Sequence, residues 1–161
     1  MSRDVRFHEG VERPYPQVRD ALVGDAAGVF QAATRSASSR ARDVASALRA
    51  NLAGIELASE VDIVVQSAGE QVVDQALLAP VTRLDLCWSA HTLPRLFPFM
   101  RASLFVYPVS DRETRLEFSG RYEPPFGPLG GVIDALAGRH IAEAAVQRFV
   151  ADVADYLRRN L

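Results

Sequence analysis

The sequence predicts an α+β fold: a curved antiparallel β-sheet wrapped around a long C-terminal α-helix, with two short helices after the first strand. Three observations carry this. Residues 80–122 hold segments that alternate apolar and polar, separated by prolines or a polar turn, as half-buried antiparallel strands do. From Leu129 to the C-terminus, apolar residues recur at helical spacing without a proline. The order is strand, two short helices, about five strands and one long helix, with no internal repeat, low-complexity tract or linker. A chain of 161 residues is then one domain, 1–161. At this length roughly 68–70% of the unfolded chain's surface can be buried, so a core needs no staples.

The elements follow in order. Residues 3–11 alternate weakly through Val5, Phe7 and Val11 and read as an edge strand. Pro14 and Pro16 end it and suit a first helical turn, where a missing N–H costs nothing. Val18, Ala21 and Leu22 have helical spacing. Gly24 and Asp25 interrupt them, and Asp25 can cap a second helix through Ala26, Val29, Phe30 and Ala33. Residues 40–52 read two ways. Val44, Leu48 and Leu52 with the alanines fit a helix, whereas a segment from about Ser46 turning at Ala53-Gly54 fits a strand.

From Ile55 to Ser67, Val61, Ile63 and Val65 oppose Asp62 and Gln66. After Pro80, Leu84, Leu86, Trp88 and Ala90 alternate with Arg83, Asp85, Cys87 and Ser89. Residues 93–99 form an apolar loop with two prolines. Met100, Ala102, Leu104 and Val106 then share one face, with Phe99, Phe105 and Tyr107 on the other. After a polar turn at 111–113, Leu116, Phe118, Gly120 and Tyr122 face inward.

In the closing helix, Leu129, Val132, Ile133, Leu136 and His140 form one apolar face. Ala142, Ala145, Val146, Phe149, Val153 and Leu157 form another, rotated from it. A straight helix gripped on one side would leave one of them in water. The pattern therefore predicts a bend or break near Gly138, or a second cover over Val132 and Leu136. Arg139–Glu143, Arg148–Asp152 and Asp155–Arg159 are i, i+4 ion pairs of the kind that support a surface helix.

Composition excludes more than it identifies. With 48% hydrophobic and 24% charged residues the chain is an ordinary globular protein. Its net charge of −2 gives no electrostatic case for nucleic acid or an anionic membrane. All 18 basic residues are Arg, which rules out a Walker-type lysine and a side-chain Schiff base. A single cysteine, Cys87, rules out an internal disulfide and a multi-Cys zinc site. The N-terminus lacks a signal-peptide core and no apolar run reaches the ~20 residues of a membrane span. Stable membrane insertion is not expected, and a reducing cytoplasm is the expected compartment.

No catalytic or cofactor motif stands out. His8, His91 and His140 are tied by no motif to a Ser or Cys nucleophile. His140 with Glu143 reverses the order of a Glu-x-x-His ligand pair and has no second set, so no metal is expected. Gly127, Gly130 and Gly131 lack dinucleotide-fingerprint spacing, so no cofactor is expected.

The element order and the segment GRYEPPFGPLGGVIDALAGRHIAEAAVQRFV resemble the START and polyketide-cyclase-like (SRPBCC) superfamily, and more narrowly a bacterial branch of it. The markers are LFPFM at 96–100, the strand 114–122 and the turn Pro124-Pro125-Phe126-Gly127. The resemblance is good over 79–161 and topological over 1–58. It implies the helix-grip fold, a strand from about Ser46, and a sheet–helix cavity that takes lipids, sterols or polyketides. A minority of the superfamily catalyses cyclisation or dehydration there. Its members share no catalytic set, so no catalytic residue carries over.

The resulting expectation is binding of a hydrophobic small molecule or lipid, lined by Trp88, Met100, Leu104, Phe118, Tyr122, Leu136 and His91, with the Tyr122 hydroxyl as a polar handle. One alternative is a cyclase or dehydratase using His91 or Tyr122. Another is a filled core, with Trp88, Phe118 and Tyr122 as plain packing and the protein acting through a partner surface. Phe105, Tyr107 and the 93–99 loop would then bury an apolar patch in a homodimer.

Overall fold

The structure is a computed structural model. It describes residues 3–34, 46–52, 55–72, 79–90, 99–122 and 132–161; within these, the side chains of 46–61, 72, 90, 132–138 and 141 lie outside the description. The elements are β1 (Arg3–Val11), α1 (Tyr15–Thr34), β2 (Ser46–Leu52), β3 (Ile55–Val72), β4 (Pro80–Ala90), β5 (Met100–Ser110), β6 (Glu113–Tyr122) and α2 (Val132–Asn160). Six antiparallel strands form one sheet in the order β1-β6-β5-β4-β3-β2.

That order places β1 and β2 at opposite edges, and α2 packs against both. A flat six-stranded sheet could not bring its two edges to one helix, so the sheet is curled around α2. An antiparallel sheet curled around a long C-terminal helix is what the α+β expectation required. The strand reading of 46–52 holds: Ser46 pairs with Val61 and Leu52 with Ile55. Ladder hydrogen bonds to β3 outweigh the helical propensity of the alanines.

The two short helices appear as one element with a break. Asp25 leaves helical geometry at φ −153°, ψ 66°, and the helix restarts after it. Its Oδ1 accepts a 2.9 Å hydrogen bond from the Gly28 N–H, the N-cap arrangement expected of it. A Cβ at Gly28 would lie 2.0 Å from Asp25 Oδ2, so glycine is what lets the carboxylate fold back. Tyr15, Val18, Leu22, Ala26, Val29 and Phe30 form the buried stripe.

β3 continues past Ser67 to Val72, and its register shifts between Val65 and Ser67. This bulge puts both Gln66 and Ser67 on the exposed side, which strict alternation would not do. α2 runs unbroken through Gly138, so the expected helix break is not there. A second cover over Val132 and Leu136 concerns side chains outside the described residues.

The buried face of α2 is Ala142, Ala145, Val146, Phe149, Val150, Val153, Ala154 and Leu157. Phe149 is its centre. Its ring lies 5.3 Å from Phe30 on α1, 5.6 Å from Trp88 on β4 and 6.2 Å from Phe118 on β6, all edge-on. Trp88 and Phe118 stack at 5.4 Å. Gly120 makes room for this cluster, since a Cβ there would come within 2.7 Å of the Phe118 ring and 2.8 Å of Met100 Sδ.

Arg158 fastens the far end of α2. It donates to Glu12 at 2.8 Å, to Glu9 at 3.1 Å, to Asp155 and to the Gly10 carbonyl. Arg13 answers by donating to the Arg158 carbonyl. Asp155 therefore pairs with Arg158, not with Arg159 as its i, i+4 spacing suggested; Arg159 donates to the Asp155 carbonyl instead, at 3.1 Å. The pairs Arg139–Glu143 and Arg148–Asp152 form at 2.8 and 3.1 Å.

Phe149 is 2% exposed and joins three layers, so Phe149→Ala should cost about 3–5 kcal/mol in urea unfolding. A loss below about 1 kcal/mol would mean that the three-way contact does not hold the layers together.

Candidate functional site

Strand parity brings five of the seven expected lining residues together. Trp88, Met100, Leu104, Phe118 and Tyr122 are all buried in one core with α2. Trp88, Met100 and Tyr122 share a rung: Trp88 pairs with Met100 and Met100 with Tyr122. Leu136 lies on α2 with its side chain outside the described residues, and His91 is outside them altogether. The same holds for 93–98 of the apolar loop and for the turn at 124–127.

The interior is not uniform along the strands. Its middle is filled, with Trp88 held between Phe118 and Phe149. On the rung of Trp88 itself, Tyr122 is 2% exposed and its hydroxyl has no hydrogen-bond partner among the described residues. Burial pushes its phenol above the ordinary value. The positive charge of Arg3, its cross-strand partner on β1, opposes that shift and Glu143 on α2 adds to it. A buried hydroxyl normally finds a partner, because leaving it unpaired costs about 1–3 kcal/mol.

The other end of the interior carries a polar cluster that sequence periodicity did not single out. The Tyr15 hydroxyl lies 2.7 Å from Thr82 Oγ1 and donates to Glu70 Oε2 at 3.0 Å. Arg19 reaches the same Glu70 oxygen at 3.2 Å, and its guanidinium sits 5.7 Å from the Tyr15 ring centroid. Burial raises the Tyr15 pKa, and Glu70 adds to it against the opposing Thr82 bond. The Tyr15 hydroxyl is thus fully engaged, and the cluster ties α1 to β3 and β4. Thr82 and Trp88 are six positions apart on β4, about 20 Å of strand, so Tyr15 and Tyr122 do not converge on one reacting atom.

The outer face of the sheet is polar and covered from within. The Arg83 guanidinium lies 5.7 Å from the Phe105 ring centroid, and Tyr107 donates to Glu117 at 3.0 Å. Both rings are half-buried. Asp85 accepts from Ser103 at 2.7 Å, Arg83 at 2.8 Å and Ser67 at 2.9 Å. Burial alone would raise its carboxyl; the three donors outweigh that and hold it below the ordinary value. A depression of about 970 Å³ opens on this face, lined by Asp85, Phe99, Arg101, Ser103, Ser119 and Arg121 among others. His140 is exposed and Glu143 is taken by Arg139. Among the described residues no group of three metal-ligating side chains gathers, and no helix is long and apolar enough to cross a membrane.

No family model and no curated protein matches the sequence. Solved structures do match the fold. TTHA0849 from Thermus thermophilus superposes with a TM-score of 0.51 at 12% identity, over 96% of this chain and 97% of that one. The Zhui aromatase/cyclase from Streptomyces sp. R1128 gives 0.48 at 13% identity, over 99% and 95%. Norcoclaurine synthase from Thalictrum flavum gives 0.44 at 10%, over 99% and 86%.

The Tyr122 environment has a measurable sign. A phenol whose folded pKa is raised contributes stability that is present below its unfolded value of about 10 and is lost as pH rises through the folded value. In a spectrophotometric titration, the absorbance step missing from Tyr122→Phe should lie above pH ~10. A step at or below that value would place the hydroxyl in water. Six strands curled around one closing helix, with the likeness to the Thermus protein across nearly the whole of both chains, give this chain the helix-grip fold.

Proposed function

We propose that this protein binds a hydrophobic small molecule or lipid carrying one polar group, at the Tyr122 end of the space between the sheet and α2. The observation that carries the reading is the Tyr122 hydroxyl: buried, unpartnered among the described residues, and set against an apolar aromatic wall. In such a place a ligand oxygen supplies the missing hydrogen bond while its hydrocarbon covers Met100 and Trp88. Trp88 and Phe118 then form the floor of the site, not its open walls, because they already pack on each other and on Phe149. Leu136 and His91 are proposed as lining residues from their position in the sequence.

Binding is favoured over cyclase or dehydratase chemistry by the distribution of polar groups. An acid–base reaction needs at least two convergent groups. The described interior offers Tyr122 at one end and the self-satisfied Tyr15 cluster at the other.

The single tryptophan gives the readout. Long-chain fatty acids, sterols and aromatic polyketides are titrated while Trp88 fluorescence is followed. At least one class should change its intensity or emission maximum. Tyr122→Phe should weaken that class by up to about tenfold, and should raise the stability of the free protein by about 1 kcal/mol, because an unpaired hydroxyl is removed. A silent panel, or a Tyr122→Phe variant that binds as well as the wild type and is no more stable, overturns the reading.

A further inference from the structure

The outer face of the sheet carries a second feature, independent of the interior. Arg101 on β5 and Arg121 on β6 are direct cross-strand partners. Like charges opposite one another destabilise a strand pair, so two arginines here are a cost that packing does not explain. Among the described residues one carboxylate relieves them. Asp4, the β1 partner of Arg121, meets it at 3.2 Å, and both side chains remain more than two-thirds exposed at 69% and 68%. Such a pair is weakly held. Arg101 has no carboxylate partner among the described residues; its guanidinium lies 5.7 Å from the ring centroid of Phe99, which is itself 46% exposed.

The next rung places Ser119 opposite Ser103. The Ser103 hydroxyl is committed to Asp85, whereas Ser119 makes no side-chain hydrogen bond among the described residues. Arg83 and Asp85 pair at 2.8 Å, while Arg6, the β1 partner of Ser119, adds a further exposed arginine to this face. These residues line the same open depression of about 970 Å³, within the size of small-molecule sites. Two guanidinium groups with one weakly held carboxylate, a free hydroxyl and a half-exposed ring leave an excess of donors and positive charge beside an apolar plane.

We propose that this depression binds a small organic anion with a flat apolar body, an aromatic carboxylate. Its carboxylate bridges Arg101 and Arg121 and accepts from Ser119, displacing Asp4, and its ring lies along Phe99. Guanidinium forks fit a carboxylate in two-point contact.

Benzoate is the probe, with benzamide as its neutral isostere and inorganic phosphate as an anion without a ring, followed through the backbone amide resonances of the intact protein. Benzoate should shift the amides of Arg101, Ser119 and Arg121, with an affinity that falls as salt rises. Benzamide should not. Arg101→Met and Arg121→Met, both at exposed positions that leave the core intact, should each weaken benzoate by about tenfold or more. Asp4→Asn should strengthen it several-fold by removing the internal competitor. Phosphate should bind more weakly than benzoate, and Phe99→Ala should erase that difference. The proposal is overturned if benzoate shifts no outer-face amide, if benzamide acts alike, if neither arginine variant matters, or if phosphate binds better. Shifts confined to Trp88 and Tyr122 would also overturn it while leaving the interior site standing.

Discussion

Phe149 stands where the three layers of the molecule meet, and the rest of the fold is arranged to keep it there. Its ring touches Phe30 on α1, Trp88 on β4 and Phe118 on β6. A helix can present one residue to a central strand and to another helix at once only if the sheet bends towards it. The curl that brings both edge strands, β1 and β2, to α2 supplies that geometry. Gly120 is part of the same constraint, because any side chain there would occupy the volume that Phe118 and Met100 need. Close packing of this kind is unforgiving: a void or an extra methyl at the centre is felt by every layer.

Polar contacts fix the ends that the aromatic cluster cannot reach. Arg158 draws the C-terminal turn of α2 onto Glu9, Glu12 and the Gly10 carbonyl, so the last helix and the first strand close on each other. Tyr15 and Arg19 pin the start of α1 to Glu70 and Thr82 on the sheet. The groups at the centre of both clusters, Arg158 and the Tyr15 hydroxyl, are engaged on every side. They hold geometry; they do not offer groups to a substrate.

Against that background two unsatisfied features stand apart, besides the buried Arg115 Nε on β6, which also lacks a partner among the described residues. Inside, Tyr122 keeps a hydroxyl without a partner among the described residues. Outside, Arg101 and Arg121 face each other, and one loosely held carboxylate, Asp4, meets Arg121 from the β1 side. In a structure that pairs most of its buried polar atoms, these are the places where a further molecule would lower the free energy. The two sites lie on opposite faces of the sheet, and strand alternation is the reason: Tyr122 and Arg121 are adjacent in sequence and point to opposite sides. Occupancy of one face can therefore be tested without disturbing the other.

Alternation along β4, β5 and β6 determined from sequence alone which side chains enter the core, because a period of two leaves each residue one face and burial of the apolar set selects it. The long closing helix, the Asp25 cap and the face of α2 carrying Phe149 were legible for the same reason: each is set by residues within a turn or two. What the tertiary structure decided is everything that depends on which distant segments meet. Residues 46–52 became a strand because β3 offered a ladder, against their local propensity. Asp155 took Arg158 because that arginine was already drawn to Glu9 and Glu12. The Gln66 bulge, the Tyr15–Glu70–Thr82 cluster and the opposition of Arg101 to Arg121 follow from strand register and helix docking. Pairing between separate segments leaves no periodic trace in either partner, so no reading of one segment at a time could have shown it.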